Sequence, residues 1–204
     1  MTTSLRGRIA VIGWGSLLWD LDDLAPKVKG PWLMRAGPAL PFEFSRISPK
    51  RKLALALCLD PAHGALCPTN AILSLRSDIH EAAEDLRARE RAADIGFIGA
   101  FCARTGFRRS RLPDVAALFS EWCAATGAAG AVWTDLDSNF EAVRGAPFSC
   151  DAAIAYLRGL RGESLEEALR YVSLAPETTE TPLRRALDAD PWWTGEIAAR
   201  RRTG

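Results

Sequence analysis

Apolar positions in the first third of the chain fall in short, nearly continuous runs bounded by Pro, Gly, Asp or Ser, and later ones shift to a spacing of three and four. Runs of the first kind predict strands, here over residues 8–13, 40–47, 53–59 and 71–75. The later spacing predicts helices. The first starts at Asp78, whose side chain is placed to accept the Glu81 backbone N–H while Glu81 reaches back in a capping box, and it runs to about Ala93. A second covers residues 114–126, entered through Pro113 and stopped by Gly127, with Val115, Leu118, Phe119, Trp122 and Cys123 on one stripe. Residues 131–136 read as another strand. Helical patterns follow over 151–160, over 165–175 with Ser164 and Glu167 as a capping pair, and over 182–187 behind Thr181.

Strands therefore come first and in a block, without regular alternation with helices. That order predicts an α+β fold with a curled or closed mixed β-sheet flanked by helices, in preference to a doubly wound parallel sheet. A chain of 204 residues with 48% apolar side chains suits one domain with a full core. Its strand-rich part is expected over about 8–140 and a helical C-terminal extension over about 148–198. No internal repeat or low-complexity tract interrupts it.

Charge removes several classes of function. Lys plus Arg (26) balances Asp plus Glu (25), so no global field draws the protein onto nucleic acid or an anionic membrane. Arg200, Arg201 and Arg202 read as a solvated tail. The apolar stretch 9–19 is broken by Gly13, Gly15 and Ser16, too short to span a bilayer, and lacks a signal-peptide cleavage pattern. The five cysteines, Cys58, Cys67, Cys102, Cys123 and Cys150, are scattered and odd in number, as expected of reduced thiols in a cytoplasmic protein. Cys58, His63 and Cys67 form no recognised metal-ligand spacing, so no metal is expected.

Two features carry candidate chemistry. Gly13-Trp14-Gly15-Ser16-Leu17 follows a strand directly. A Gly-x-Gly-Ser bend leaves consecutive N–H groups pointing into one concavity suited to a carboxylate or phosphate. A tight turn with no ligand is the alternative. The absence of a third Gly at position 18, which is Leu, and of a long helix before Pro26 argues against a dinucleotide fingerprint. Leu18 also removes the Gly-x-Ser-x-Gly elbow that a nucleophilic Ser16 would need.

The second feature is Glu90. On the first helix, Ile79, Ala83 and Leu86 are four and three apart, and one further step of four reaches Glu90, so this carboxylate points where the core should lie. Asp85, Arg87, Arg89 and Arg91 fall on other faces and read as solvated. Burial disfavours an ionised carboxylate, the condition a general acid or base near neutral pH requires. The alternative is a structural pair with an arginine such as Arg46 or Arg104. Arg46, on the extended segment 40–47 with Ser48 nearby, is also a candidate for binding an anionic substrate group.

The run Ile9 to Trp19 (IAVIGWGSLLW) resembles the strand and Tyr-Gly-Ser-Leu turn that opens γ-glutamylcyclotransferases, particularly the ChaC-like branch. Leu86 to Glu90 (LRARE) is similar to the same family's helix ending in Arg-Glu, whose glutamate is the catalytic acid and base. The resemblance covers about residues 8–90. It implies a barrel-like α+β fold that cyclises a γ-glutamyl amine or peptide to 5-oxoproline without a cofactor. It further implies Glu90 as catalytic residue, and Trp14, Gly15, Ser16 and Leu17 around the substrate, with the amides of the last three as donors. Trp14 stands where the family has Tyr, so no phenolic hydroxyl is present, and the segment 107–122 departs from the family pattern. Alternatives are a non-catalytic member of the fold that binds a small acid or a protein, and an interaction protein working through helices around Tyr171 and Trp192. Trp133, Trp192 and Trp193 are candidates for pocket walls or for core.

Overall fold

The computed structural model describes residues 4–203. In chain order the elements are β1 (Ile9–Gly13), β2 (Val28–Leu33), β3 (Leu40–Ile47), β4 (Leu55–Leu59), β5 (Ala65–Cys67), β6 (Asn70–Ser74), α1 (Ile79–Glu90), β7 (Ile98–Cys102), β8 (Arg108–Arg109), α2 (Pro113–Thr126), β9 (Gly130–Thr134), α3 (Phe140–Arg144), α4 (Cys150–Gly159), α5 (Gly162–Leu174), α6 (Pro182–Ala189) and α7 (Pro191–Thr203). The class is α+β. Two compact units are formed, one by the chain up to Leu40 with Pro68–Leu136, the other by Pro41–Cys67 with Asp137 onward.

The first unit is built on a six-stranded sheet in the order β2-β6-β1-β9-β7-β8. β2 and β8 are its free edges, so among the described residues the sheet is open, and the closed form of the expected sheet is not what the chain adopts. Every residue of β1 is buried, as its unbroken apolar run requires of a central strand. It pairs antiparallel with β6 (Ala10 opposite Leu73) and parallel with β9 (Ile9 opposite Gly130). Ile79, Ala82, Ala83 and Leu86 of α1 join Ile9, Val11 and Val132 in one apolar cluster.

This topology decides where α1 ends. Since β6 runs against β1, the chain leaves β6 near the start of β1 and β9. There α1 begins with Asp78 accepting the N–H groups of His80 (2.8 Å) and Glu81 (3.1 Å). A helix of 12 residues advances about 18 Å, roughly the length of a five-residue strand. Its last turn therefore arrives at the opposite edge, where β1 and β9 end together.

The second unit holds the three-stranded sheet β4-β3-β5 and helices α3 to α7. Thr181 caps α6 through the Arg184 N–H at 3.2 Å, as expected. By contrast α5 starts earlier than its apolar spacing suggests, with Arg161 at the cap, so Ser164 lies inside the helix and does not cap it. Arg200, Arg201 and Arg202, expected as a tail, form the last turn of α7. Tyr171 is core: it is 4% exposed and packs edge-on to Phe44, which removes it from any working surface.

No helix among the described residues is long and apolar enough to cross a membrane.

Candidate functional site

The turn after β1 is a 3-10 segment, Gly15–Leu18, entered from Trp14 in extended conformation. Gly15 has φ +50°, a left-handed backbone that favours glycine. Gly13 is required for another reason. A Cβ there would fall 2.2 Å from Trp32 Cη2, so the bare face expected to admit a ligand is covered by an indole. Of the three amides expected as donors, Leu17 N–H is engaged within the turn by the Trp14 carbonyl at 3.3 Å. Trp14, Ser16 and Leu17 are all buried.

Glu90 lies at the C-terminal end of α1, and its side chain is 14% exposed. Its immediate neighbour is the unexpected element. Arg89, read from the sequence as solvated, is 1% exposed. Its phase puts it at one edge of the buried face, seven residues after Ala82 and three after Leu86. It is buried because the segment after β1 covers that flank of the last helical turn. Arg89 Nη1 donates to Glu90 Oε1 at 2.7 Å, and Nη2 donates to Ser16 Oγ at 3.3 Å and to the Asp20 carbonyl. The structural partner of Glu90 is thus Arg89 and not Arg104.

Thr134, the last residue of β9, donates its hydroxyl to the same Glu90 oxygen, Oε1, at 3.4 Å. The other oxygen, Oε2, accepts no hydrogen bond among the described residues. Ser16 Oγ receives Arg89, and its own O–H has no acceptor among them. The arrangement therefore offers one fixed carboxylate with an open proton-accepting oxygen, and a hydroxyl donor on the other side of the same guanidinium.

Arg46 belongs to the second unit, where its Nη1 donates to the Asp137 carbonyl at 2.7 Å and lies 3.7 Å from the Asp137 carboxylate. Trp133 is fully buried and stacked on Phe119 with ring centroids 3.8 Å apart, a core role. No group of three or more His, Cys, Asp or Glu among the described residues could hold a metal ion.

Besides Arg89, sequence reasoning missed Asp135, which is 1% exposed just beyond Thr134. Burial pushes its carboxyl upward, partly offset by hydrogen bonds from the Arg111 N–H, the Trp133 indole and Ser110. An acid directly following the mostly apolar run of β9, Gly130 to Thr134, was the available signal. Comparison of the chain with known protein families, with characterised proteins and with solved structures gave no match.

Proposed function

We propose that the chain is a γ-glutamylcyclotransferase-like enzyme that converts a γ-glutamyl amine or peptide to 5-oxoproline and a free amine. The observation that carries the reading is the unshared Oε2 of Glu90, on a carboxylate whose Oε1 is fixed by Arg89 and Thr134. Glu90 takes a proton from the substrate's α-ammonium. The freed nitrogen attacks the γ-carbonyl carbon of the same molecule, and the C–N bond to the amine breaks as Glu90 returns the proton to the leaving nitrogen. No water or cofactor enters the balance. Ser16 O–H and the remaining turn amides are the donors for the substrate's carboxylate or the developing oxyanion. Holding the substrate folded supplies the orientation that makes the attack intramolecular.

In this reading the open six-stranded sheet corresponds to an opened form of the family's barrel. Arg46, engaged by Asp137, has no part in the step. The test is direct: purified protein incubated with glutathione, γ-glutamyl dipeptides and γ-glutamylamines should form 5-oxoproline from at least one of them. A second reading, a non-catalytic binder of small acids on the same turn, is favoured by the 2.7 Å contact that already engages Glu90 with Arg89. It is distinguished by thermal stabilisation with an acidic ligand and no product.

A further inference from the structure

The second unit contains a cavity of about 520 Å³, within the range of small-molecule sites, lined in part by Asp60, His63, Ser138, Asn139, Glu141 and Phe148. Asp60 is 4% exposed at the end of β4. Its Oδ1 accepts the N–H groups of Ala62 (3.2 Å) and His63 (3.0 Å) and lies 3.1 Å from His63 Nδ1, while Oδ2 accepts Ser45 Oγ at 2.7 Å. A carboxylate fixed by three donors dictates the tautomer of the ring beside it. His63 gives its Nδ1–H to Asp60, and the Nε2 lone pair is left for the cavity side of a half-exposed ring.

The polar groups around that ring divide sharply. Ser138 donates its hydroxyl to the Ser45 carbonyl (2.8 Å), and the Asn139 amide is held at both ends by the Ile47 backbone (2.7 and 3.0 Å). These donors belong to the wall, and Ser138 is no nucleophile. Apart from the second Asn139 Nδ2–H, the unengaged polar side-chain groups along the cavity are acceptors: His63 Nε2, and the Glu141 carboxylate, which has no hydrogen bond or ion pair among the described residues. Phe148, its centroid 5.2 Å from that of His63, adds an aromatic wall. Acceptors, a negative charge and a ring face are complementary to a cation bearing N–H donors with an apolar body.

We propose that Asp60, His63 and Glu141 form a second site, in the unit of Pro41–Cys67 and Asp137 onward, that binds a small primary ammonium compound. It shares no residue with the Glu90 site, so either can fail alone. The chain has two histidines, which makes nitrogen NMR of the imidazoles unambiguous once His80 is assigned by substitution. Titration with butylammonium should shift the His63 Nε2 resonance saturably. The uncharged isostere 1-butanol should not, and Glu141→Gln, an exposed change, should weaken binding by about tenfold or more. His63 should be the Nδ1–H tautomer when neutral, and Asp60→Asn should alter it. No saturable shift, equal binding to Glu141→Gln, or an Nε2–H tautomer in the native protein would overturn the proposal.

Discussion

The hydroxyl of Ser16 and the carboxylate of Glu90 are held by one guanidinium, that of Arg89, which reaches Glu90 Oε1 at 2.7 Å and Ser16 Oγ at 3.3 Å. A turn near the front of the chain and the end of a helix far along it are thereby tied together. The tie is charged, almost wholly buried on the arginine side, and placed where the parallel strands β1 and β9 end.

Removing Arg89 should cost both stability and turnover. Breaking a buried pair by deleting one partner leaves the other charge uncompensated, at about 3–5 kcal/mol. Arg89→Met is expected to lower the denaturant midpoint by an amount near the lower end, because Glu90 keeps some exposure. Arg89→Lys retains charge but not the fork that serves two acceptors at once. If Arg89 positions Glu90, the lysine variant assayed well below its unfolding temperature loses kcat with little change in KM. An unchanged kcat would confine Arg89 to a structural role.

Gly13→Ala should destabilise the protein by about 1–3 kcal/mol, the usual range for overpacking, because its methyl would meet the Trp32 indole. In the Trp32→Ala background the same change should cost much less, and a thermodynamic cycle on the two substitutions measures the coupling. Additive effects would mean that Trp32 does not cover Gly13.

Much of the fold is readable from the chain. β3 keeps its expected bounds, and Asp78 and Thr181 cap the helices they were expected to cap. Strands with interruptions were missed: β2 carries Gly30 and Pro31, and β7 carries Gly99, whose Cβ would fall 1.9 Å from Trp133. The same limit applies at the site. Glu90 is visible because it continues the spacing of Ile79, Ala83 and Leu86, whereas Arg89, at the edge of the same face after Ala82 and Leu86, is hidden by its charge and is covered by a segment some seventy residues away in sequence. Periodicity reports which face meets the sheet. It carries nothing about what covers the flank of a last turn.

Stability should fall with rising pH through one buried acid. Glu43 in β3 is 0% exposed, and burial pushes its carboxyl above the ordinary range despite hydrogen bonds from Thr181, Leu183 and Phe44. The folded state then binds the proton more tightly than the unfolded state. Its contribution is fully present below the unfolded value, about 4.3 for a free glutamate, and is lost as pH rises through the folded value. Denaturation profiles of Glu43→Gln should be flatter over that window than those of the native protein. A parallel slope would assign the effect elsewhere.

Thiol reactivity should separate the cysteines. Burial raises Cys58 and Cys123 to about 12, whereas at Cys102 the effect of burial is outweighed by the Thr105 hydroxyl and the Thr105 and Arg104 N–H groups, which lower it. Thiolate fraction governs alkylation. Peptide mapping after brief iodoacetamide treatment of the native protein should find Cys102 modified well before Cys58 and Cys123. Modification of Cys58 first would contradict the assignment.

The central claim rests on the open oxygen of Glu90, and Glu90→Gln tests it most directly, since glutamine preserves the shape and can still accept from Arg89 but cannot take a proton. With a substrate that the native protein converts, the account predicts a fall in the rate of 5-oxoproline formation of about a hundredfold or more, the scale of a lost general base, with the fold intact by circular dichroism. Native-level turnover by Glu90→Gln would contradict it.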